Sequence, residues 1–176
     1  MRIEYQKHLI RNATPADAEL LCSWWNDGAV MAHAGFPNGL KITPEKVVAG
    51  LATDSDDTYR RLIIEVTDTP VGEMSYRNMD GDTAQIGIKI CHFDSQEKGH
   101  GTIFLKMLIN SLFIDYGYQK IILDTNMKNT RAQHVYEKLG FRKVRVNEDS
   151  WKNQLGKLQT SIDYELTPGH FVPLDQ

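Results

Sequence analysis

Apolar residues change their spacing along this chain, and each change marks a new kind of element. His8–Ala13 reads as a short first strand. Thr14-Pro15-Ala16-Asp17 then starts a helix: Thr caps, Pro occupies the first turn, and the acid sits near the positive end of the dipole. Leu20, Leu21, Trp24 and Trp25 follow on that helix until Asn26-Asp27-Gly28 stops it. Met31–Gly39, rich in Gly, Pro and aromatics, reads as a loop. Thr43-Pro44-Glu45 repeats the cap chemistry and opens a short helix to about Ala52. From Tyr59 the period shortens. Tyr59–Val66 and Val71–Arg77 predict a hairpin around Asp68-Thr69-Pro70. Asp80-Gly81-Asp82 turns into Thr83–Ile90, where Ala84, Ile86, Ile88 and Ile90 alternate with polar or small residues. Helical spacing returns with Leu105, Leu108, Ile109, Leu112 and Tyr116, one buried face of a helix from about Gly99 to Tyr116. Lys120–Thr125, with Ile121-Ile122-Leu123, reads as a strand buried on both faces. A helix over Asn129–Leu139 stops at Gly140, a natural left-handed cap. Arg142–Asn147 and Leu158–Leu166 close as strands around a loop at Asn147–Gly156, and the tail from Pro168 to Gln176 reads as loose.

This succession predicts a mixed α/β domain of the α+β kind: helices, an antiparallel meander, a strand–helix–strand unit, then a helix and two strands. Thr83–Ile90 and Lys120–Thr125 should be parallel neighbours, because a right-handed helical crossover joins them. At 176 residues the chain suffices for one core and is short for two, so residues 1–176 form one domain.

Composition narrows the function classes. The 41% hydrophobic and 24% charged content is that of a water-soluble domain, and a net charge of −3 offers no clustered basic footprint for nucleic acid. No stretch reaches the ~18 apolar residues of a membrane span, and the first residues lack the apolar run of a secretion signal. Cys22 and Cys91 stand far apart in neither CxxC nor Cys/His spacing, which argues against a zinc site and a disulfide scaffold and for the reducing cytoplasm. His8, His33, His92 and His170 show no metal-ligand spacing, so no metal is expected.

The chemistry concentrates between Thr83–Ile90 and the long helix, in Cys91-His92-Phe93-Asp94-Ser95-Gln96-Glu97-Lys98-Gly99-His100-Gly101-Thr102. Two glycines one residue apart let main chain approach a ligand closely. Unpaired amides of a first helical turn, with the dipole behind them, suit a pyrophosphate. A plain strand-to-helix turn can carry the same Gly-x-Gly. There is no Gly-x-x-x-x-Gly-Lys-Ser/Thr, and Phe104 stands where a dinucleotide fingerprint needs its third glycine.

Gln96-Glu97-Lys98-Gly99-His100-Gly101 resembles the Gln/Arg-x-x-Gly-x-Gly/Ala acetyl-CoA loop of the GNAT superfamily of N-acetyltransferases. Farther on, Asn129-Thr130-Arg131-Ala132-Gln133-His134-Val135-Tyr136-Glu137-Lys138-Leu139-Gly140-Phe141 resembles that superfamily's second motif, Asn-x-x-Ala-x-x-x-Tyr-Glu-Lys-x-Gly-Phe. The likeness covers residues 83–141 and leans toward the ribosomal-protein alanine and aminoglycoside 6′-N-acetyltransferase branches. It implies a GNAT fold, a central mostly antiparallel sheet with one splayed parallel strand pair and flanking helices.

The resemblance also implies roles. Amides of Gln96, Glu97, Lys98, Gly99, His100, Gly101 and Thr102 would hold the pyrophosphate of acetyl-CoA, and Ile90, Cys91 and His92 would pair with its pantetheine arm. An amide near Ile90 or Cys91 would face the oxyanion. Asn129 would bond the pantetheine or cap its helix. Tyr136 would protonate the departing thiolate; a core tyrosine is the bland alternative. Cys91 itself reads as a small apolar residue, and His100 and His134 as solvated or dipole-related. Glu73 is the first candidate base and Asp124 the alternative, an acid that aminoglycoside-acetylating relatives use on the acceptor. Trp25, His33, Phe36 and Tyr76 would line the acceptor pocket, with core packing the competing role for the tryptophans. The implied reaction is direct transfer of acetyl to a primary amine of a small molecule, with a protein amino terminus as the other acceptor and an idle acyl-CoA-binding module as the other class. No nucleic-acid or membrane partner is expected, and a homodimer is compatible with the likeness.

Overall fold

In the computed structural model, which describes residues 1–174, the chain forms one eight-stranded sheet in the order β1-β2-β3-β4-β5-β6-β8-β7. The strands are β1 (Arg2–Tyr5), β2 (His8–Asn12), β3 (Tyr59–Val66), β4 (Thr69–Asn78), β5 (Thr83–Ile90), β6 (Lys120–Asn126), β7 (Arg142–Lys152) and β8 (Leu158–Leu166). The helices are α1 (Ala18–Asn26), α2 (Gly28–Met31), α3 (Pro44–Leu51), α4 (His100–Ile114) and α5 (Thr130–Lys138). Every neighbouring pair is antiparallel except β5 and β6, which run parallel because α4 carries the chain back between them. Among the described residues no helix is long and apolar enough to cross a membrane.

Alternation along the strands assigns the two faces. Leu62, Met74, Tyr76, Ala84, Ile86, Ile121, Leu123, Ile162 and Tyr164 join Phe104, Leu105, Leu108 and Leu112 of α4 in the main core. Ile63 points the other way and packs under α1 and α3 with Leu21, Cys22, Val47 and Leu51. Trp24 and Trp25 pack on that second cluster, the role weighed against pocket lining. Arg11 ties the layers: it meets Asp17 at 2.8 Å and Glu65 at 2.7 Å. Burial alone would raise Asp17, but the Arg11 guanidinium and the Thr14 amide outweigh it and hold the carboxyl low.

β4 takes in Thr69 and Pro70 of the expected turn, and α4 stops at Ile114, leaving Tyr116 exposed. Four further boundaries differ from the sequence expectation. The first strand is Arg2–Tyr5, missed because its alternate charges hide Ile3 and Tyr5; a left-handed Gln6 (φ 53°) folds it onto β2. Met31–Gly39 is not all loop, since α2 and a 3₁₀ turn at Ala32–Ala34 occupy its start. β7 runs through the expected loop to Lys152, because the pairing to β8 survives a bulge between Asn147 and Trp151. The tail is docked as far as Leu174: Val172 N–H donates to the Leu139 carbonyl, Lys106 Nζ to that of Pro173, and Phe171 packs edge-on against Phe113. Residues 175 and 176 of the expected loose tail lie outside the described residues.

Candidate active site

The site begins where two parallel strands stop pairing. β5 and β6 are in register only at Thr83–Lys120, Ala84–Ile121 and Gln85–Ile122, and beyond these pairs they part. β5 meanwhile stays bonded to β4 up to Ile90 opposite Gly72. The Cys91 and His92 amides both donate to the Val71 carbonyl, at 2.8 and 3.0 Å, so they aim at β4. Counting back along an antiparallel ladder, the main-chain groups of Ile90 and Ile88 face the opening instead. Gln96 Nε2 already donates to the Ile90 carbonyl at 3.0 Å. Ile88 and the Ile90 N–H therefore remain for a ligand. This corrects the expectation that Cys91 and His92 would pair with a pantetheine arm: one bulge consumes both amides. Cys91 is buried, and burial first, Glu73 second, push its thiol up to about 12, far from a nucleophile's range.

At the mouth of α4 the main chain turns its donors outward. Glu97 (φ 61°) and Gly99 (φ 78°) adopt left-handed conformations, and the first bond of the helix runs from Ile103 N–H to the Gly99 carbonyl at 3.3 Å. Among the described residues, no amide from Glu97 to Thr102 has a protein acceptor. Such a nest at a positive helix end selects an anion. A Cβ on Gly101 would meet only Ile90 Cγ1, at 3.9 Å, so the space over the nest is open. Arg131 bonds Glu97 at 2.8 Å and links α5 to the loop, while Lys98 and His92 are exposed and stay outside the cleft. His100 is neither solvated nor exposed. Its Nδ1 lies 2.9 Å from Nε2 of the buried His8, and burial first, Lys7 second, lower its pKa.

The nest and the parted strands open into one cleft of about 1010 Å³. Asn129 caps α5 through a 3.2 Å bond from the Ala132 amide, and like Tyr136 it lines this cleft. The Tyr136 ring is 7% exposed, edge-on to Phe141 and Tyr164, and its hydroxyl has no hydrogen-bond partner among the described residues. Burial first, then Asp124, push the phenol up to about 12.

The two acids share the sheet face under α1 but differ in company. Glu73 accepts from Trp25 Nε1 at 2.9 and 3.0 Å and pairs with Lys89 at 3.0 Å, and it is Lys89 that lines the cleft. Trp25 thus reaches the site only through Glu73. Asp124 lines the cleft itself, its side chain exposed there, and has no cation partner among the described residues; partial desolvation by the cleft walls first, the neighbouring Asp163 second, raise its pKa. His33 lines the cleft, whereas Phe36 does not. Tyr76 is not a pocket residue: it lies on the core face, fully buried, its hydroxyl donating to Asp56 at 3.0 Å. Trp151 was missed. It lines the cleft and rests so closely on Gly35 that a Cβ there would lie 2.4 Å from its ring. A lone tryptophan in an otherwise polar stretch was the available signal. Next to it, Gln154 ties the β7–β8 turn to Asn38 and Gly39, at 2.8 and 3.0 Å.

Parted parallel strands with an amide nest at their crossover helix leave an opening in the sheet edged by free main-chain donors. A family described as "Acetyltransferase (GNAT) domain" matches residues 7–142, and the chain belongs to that family. The fold agrees. A solved structure described as a probable acetyltransferase superposes with a TM-score of 0.83 at 19% identity, covering 97% of this chain and 99% of the other. Spermidine N-acetyltransferase from Vibrio cholerae, solved with CoA and spermine, gives 0.81 at 18% identity over 93% and 97%. A ribosomal L7/L12 α-N-protein acetyltransferase solved with coenzyme A gives 0.80 at 13% identity over 95% and 98%. The family and fold implied by the two motifs are thus borne out, and both kinds of acceptor occur among the similar folds.

Proposed function

We propose that this GNAT acetyltransferase moves the acetyl group of acetyl-CoA onto a primary amine of a small cationic molecule in the cytoplasm. The observation that carries the reading is the unbroken run of free amides from Glu97 to Thr102, opening beside parted strands onto Tyr136 and an unpaired Asp124. Acetyl-CoA supplies an activated acetyl thioester. The nest would hold its diphosphate, and the Ile88 and Ile90 main chain its pantetheine, with one of those amides facing the thioester oxygen.

Asp124, rather than the ion-paired Glu73, is then the acid that meets the acceptor. An ammonium with pKa near ~10.4 must lose a proton before it attacks. An unpaired carboxylate first attracts the cation, then takes its proton or passes it to water. Tyr136 remains protonated at every physiological pH and donates toward the sulfur as the C–S bond breaks. Because its pKa exceeds that of a thiol, roughly 8.5, proton delivery must be concerted with proton loss from nitrogen. Holding both reactants in one cleft supplies much of the rate.

The test is a panel of spermine, kanamycin and a tetrapeptide with a free amino terminus, followed by thiol release and product mass. The reading expects mono-acetylated spermine or kanamycin at higher kcat/KM than the peptide. A preference for the peptide transfers the enzyme to protein amino termini. Tight CoA binding without turnover of any amine makes the chain a binding module.

A further inference from the structure

Gly87 stands in the middle of β5, where glycine weakens a strand and usually marks a close approach by something else. Packing does not require it. Its φ is not left-handed, and a Cβ built there meets only Ser75 Oγ, at 3.2 Å. That hydroxyl has no hydrogen-bond partner among the described residues, so it can turn aside. Gly72 and Gly35 differ: a Cβ at Gly72 would lie 2.1 Å from the Lys89 carbonyl, and one at Gly35 2.4 Å from the Trp151 ring.

The position explains what packing leaves unexplained. Alternation places Gly87 on the same face as Lys89, and both line the cleft. Gln85 is the last β5 residue in register with β6, opposite Ile122, so Gly87 stands level with Asp124 across the widening gap. On its other side lies Ser75, and one pair farther along come Glu73 and Lys89. A patch of bare main chain therefore separates the free carboxylate from the neutralised one, directly beside the outward-facing groups of Ile88.

We propose that Gly87 is a specificity-determining residue, whose missing side chain leaves the floor on which the acceptor's amine-bearing carbon rests beside Asp124 and within reach of the gap. This rests on the acceptor reading above. Any side chain at 87 would occupy the acceptor's place while leaving the nest, on the opposite face, untouched.

Gly87→Ala and Gly87→Val test this in the full chain, with spermine and kanamycin as acceptors. Expected are a CoA Kd within twofold of wild type and an unshifted melting temperature for Gly87→Ala, with KM for the amine raised at least tenfold. Gly87→Val should lose more. The pair Ser75→Ala with Gly87→Ala removes the one close contact, and the KM defect should persist. Recovery in that double variant would show strain against Ser75 and overturn the proposal, as would unchanged amine kinetics or a parallel loss of CoA affinity. A wild type that acetylates neither amine sinks the small-amine reading and this proposal together; an active wild type with an equally active Gly87→Ala sinks the proposal alone.

Discussion

Tyr136 is held by packing on its ring and left free at its hydroxyl, an arrangement that separates structure from chemistry. The contacts to Phe141 and Tyr164, with centroids at 5.8 and 5.7 Å, survive replacement by phenylalanine. Tyr136→Phe should therefore melt with the wild type and bind CoA within twofold, while kcat falls about 10²-fold. Kinetics beside calorimetry checks this, and an unchanged kcat removes Tyr136 from the reaction. Asp124 is exposed where Tyr136 is buried. Its side chain opens onto the cleft, and partial desolvation there, with Asp163 nearby, raises its pKa above the ordinary carboxylate range. Solvent screens a charge this open, so Asp124→Asn should melt close to the wild type at pH 7, while its KM for a cationic amine rises at least tenfold. Melting curves run beside amine kinetics decide it. Unchanged amine kinetics in Asp124→Asn would remove the acid from the acceptor's contacts.

The loop before α4 differs from an ordinary strand-to-helix connection in where its amides point, and its two glycines do different work. Gly99 is left-handed, so Gly99→Ala costs about 1–2 kcal/mol of backbone strain and distorts the nest. Gly101 is not, and its Cβ would touch almost nothing. Gly101→Ala should keep or slightly raise the melting temperature, as alanine favours helix, and bind CoA nearly as well, as the Gly/Ala choice in the motif implies, whereas Gly101→Phe should weaken CoA at least tenfold by standing over the amides. Equal CoA affinity in Gly101→Phe would reduce the segment to a turn. This contrast also shows what was legible beforehand. Spelling and spacing marked Gln96–Gly101 and Asn129–Phe141 because close main-chain approach demands glycine and capping demands Asn. The Val71 bulge that turns Cys91 and His92 away was not legible, since any residue can form it. The burial of Tyr76 was not either: a strand tyrosine reads alike on either face until the pairing register chooses one. The same holds for Glu73, whose partners Trp25 and Lys89 come from distant segments.

The sheet is a partition with unequal sides. One face carries α4 and the main core; the other carries α1, α3 and the acids. β5 and β6 part between these faces, and it is through this gap that the proposed carrier on one side would meet its acceptor on the other. The docked tail braces α4 and the start of the last strands: Gly140 lies so near the His170 carbonyl that a Cβ there would be 1.8 Å away. Removal of residues 168–176 should cost about 2 kcal/mol, mostly from Phe171, or roughly 4–8 °C in melting temperature. A truncated protein that melts like the full chain would show the tail to be an ornament. The nest is tested most directly by an NMR titration of ¹⁵N-labelled protein with CoA, and separately with pantetheine. CoA should move the amide protons of Glu97 through Thr102 downfield as a group. Pantetheine, which lacks the diphosphate, should perturb Ile88 and Ile90 and leave that run in place. Identical patterns from both ligands, or no response to millimolar CoA, would contradict the account.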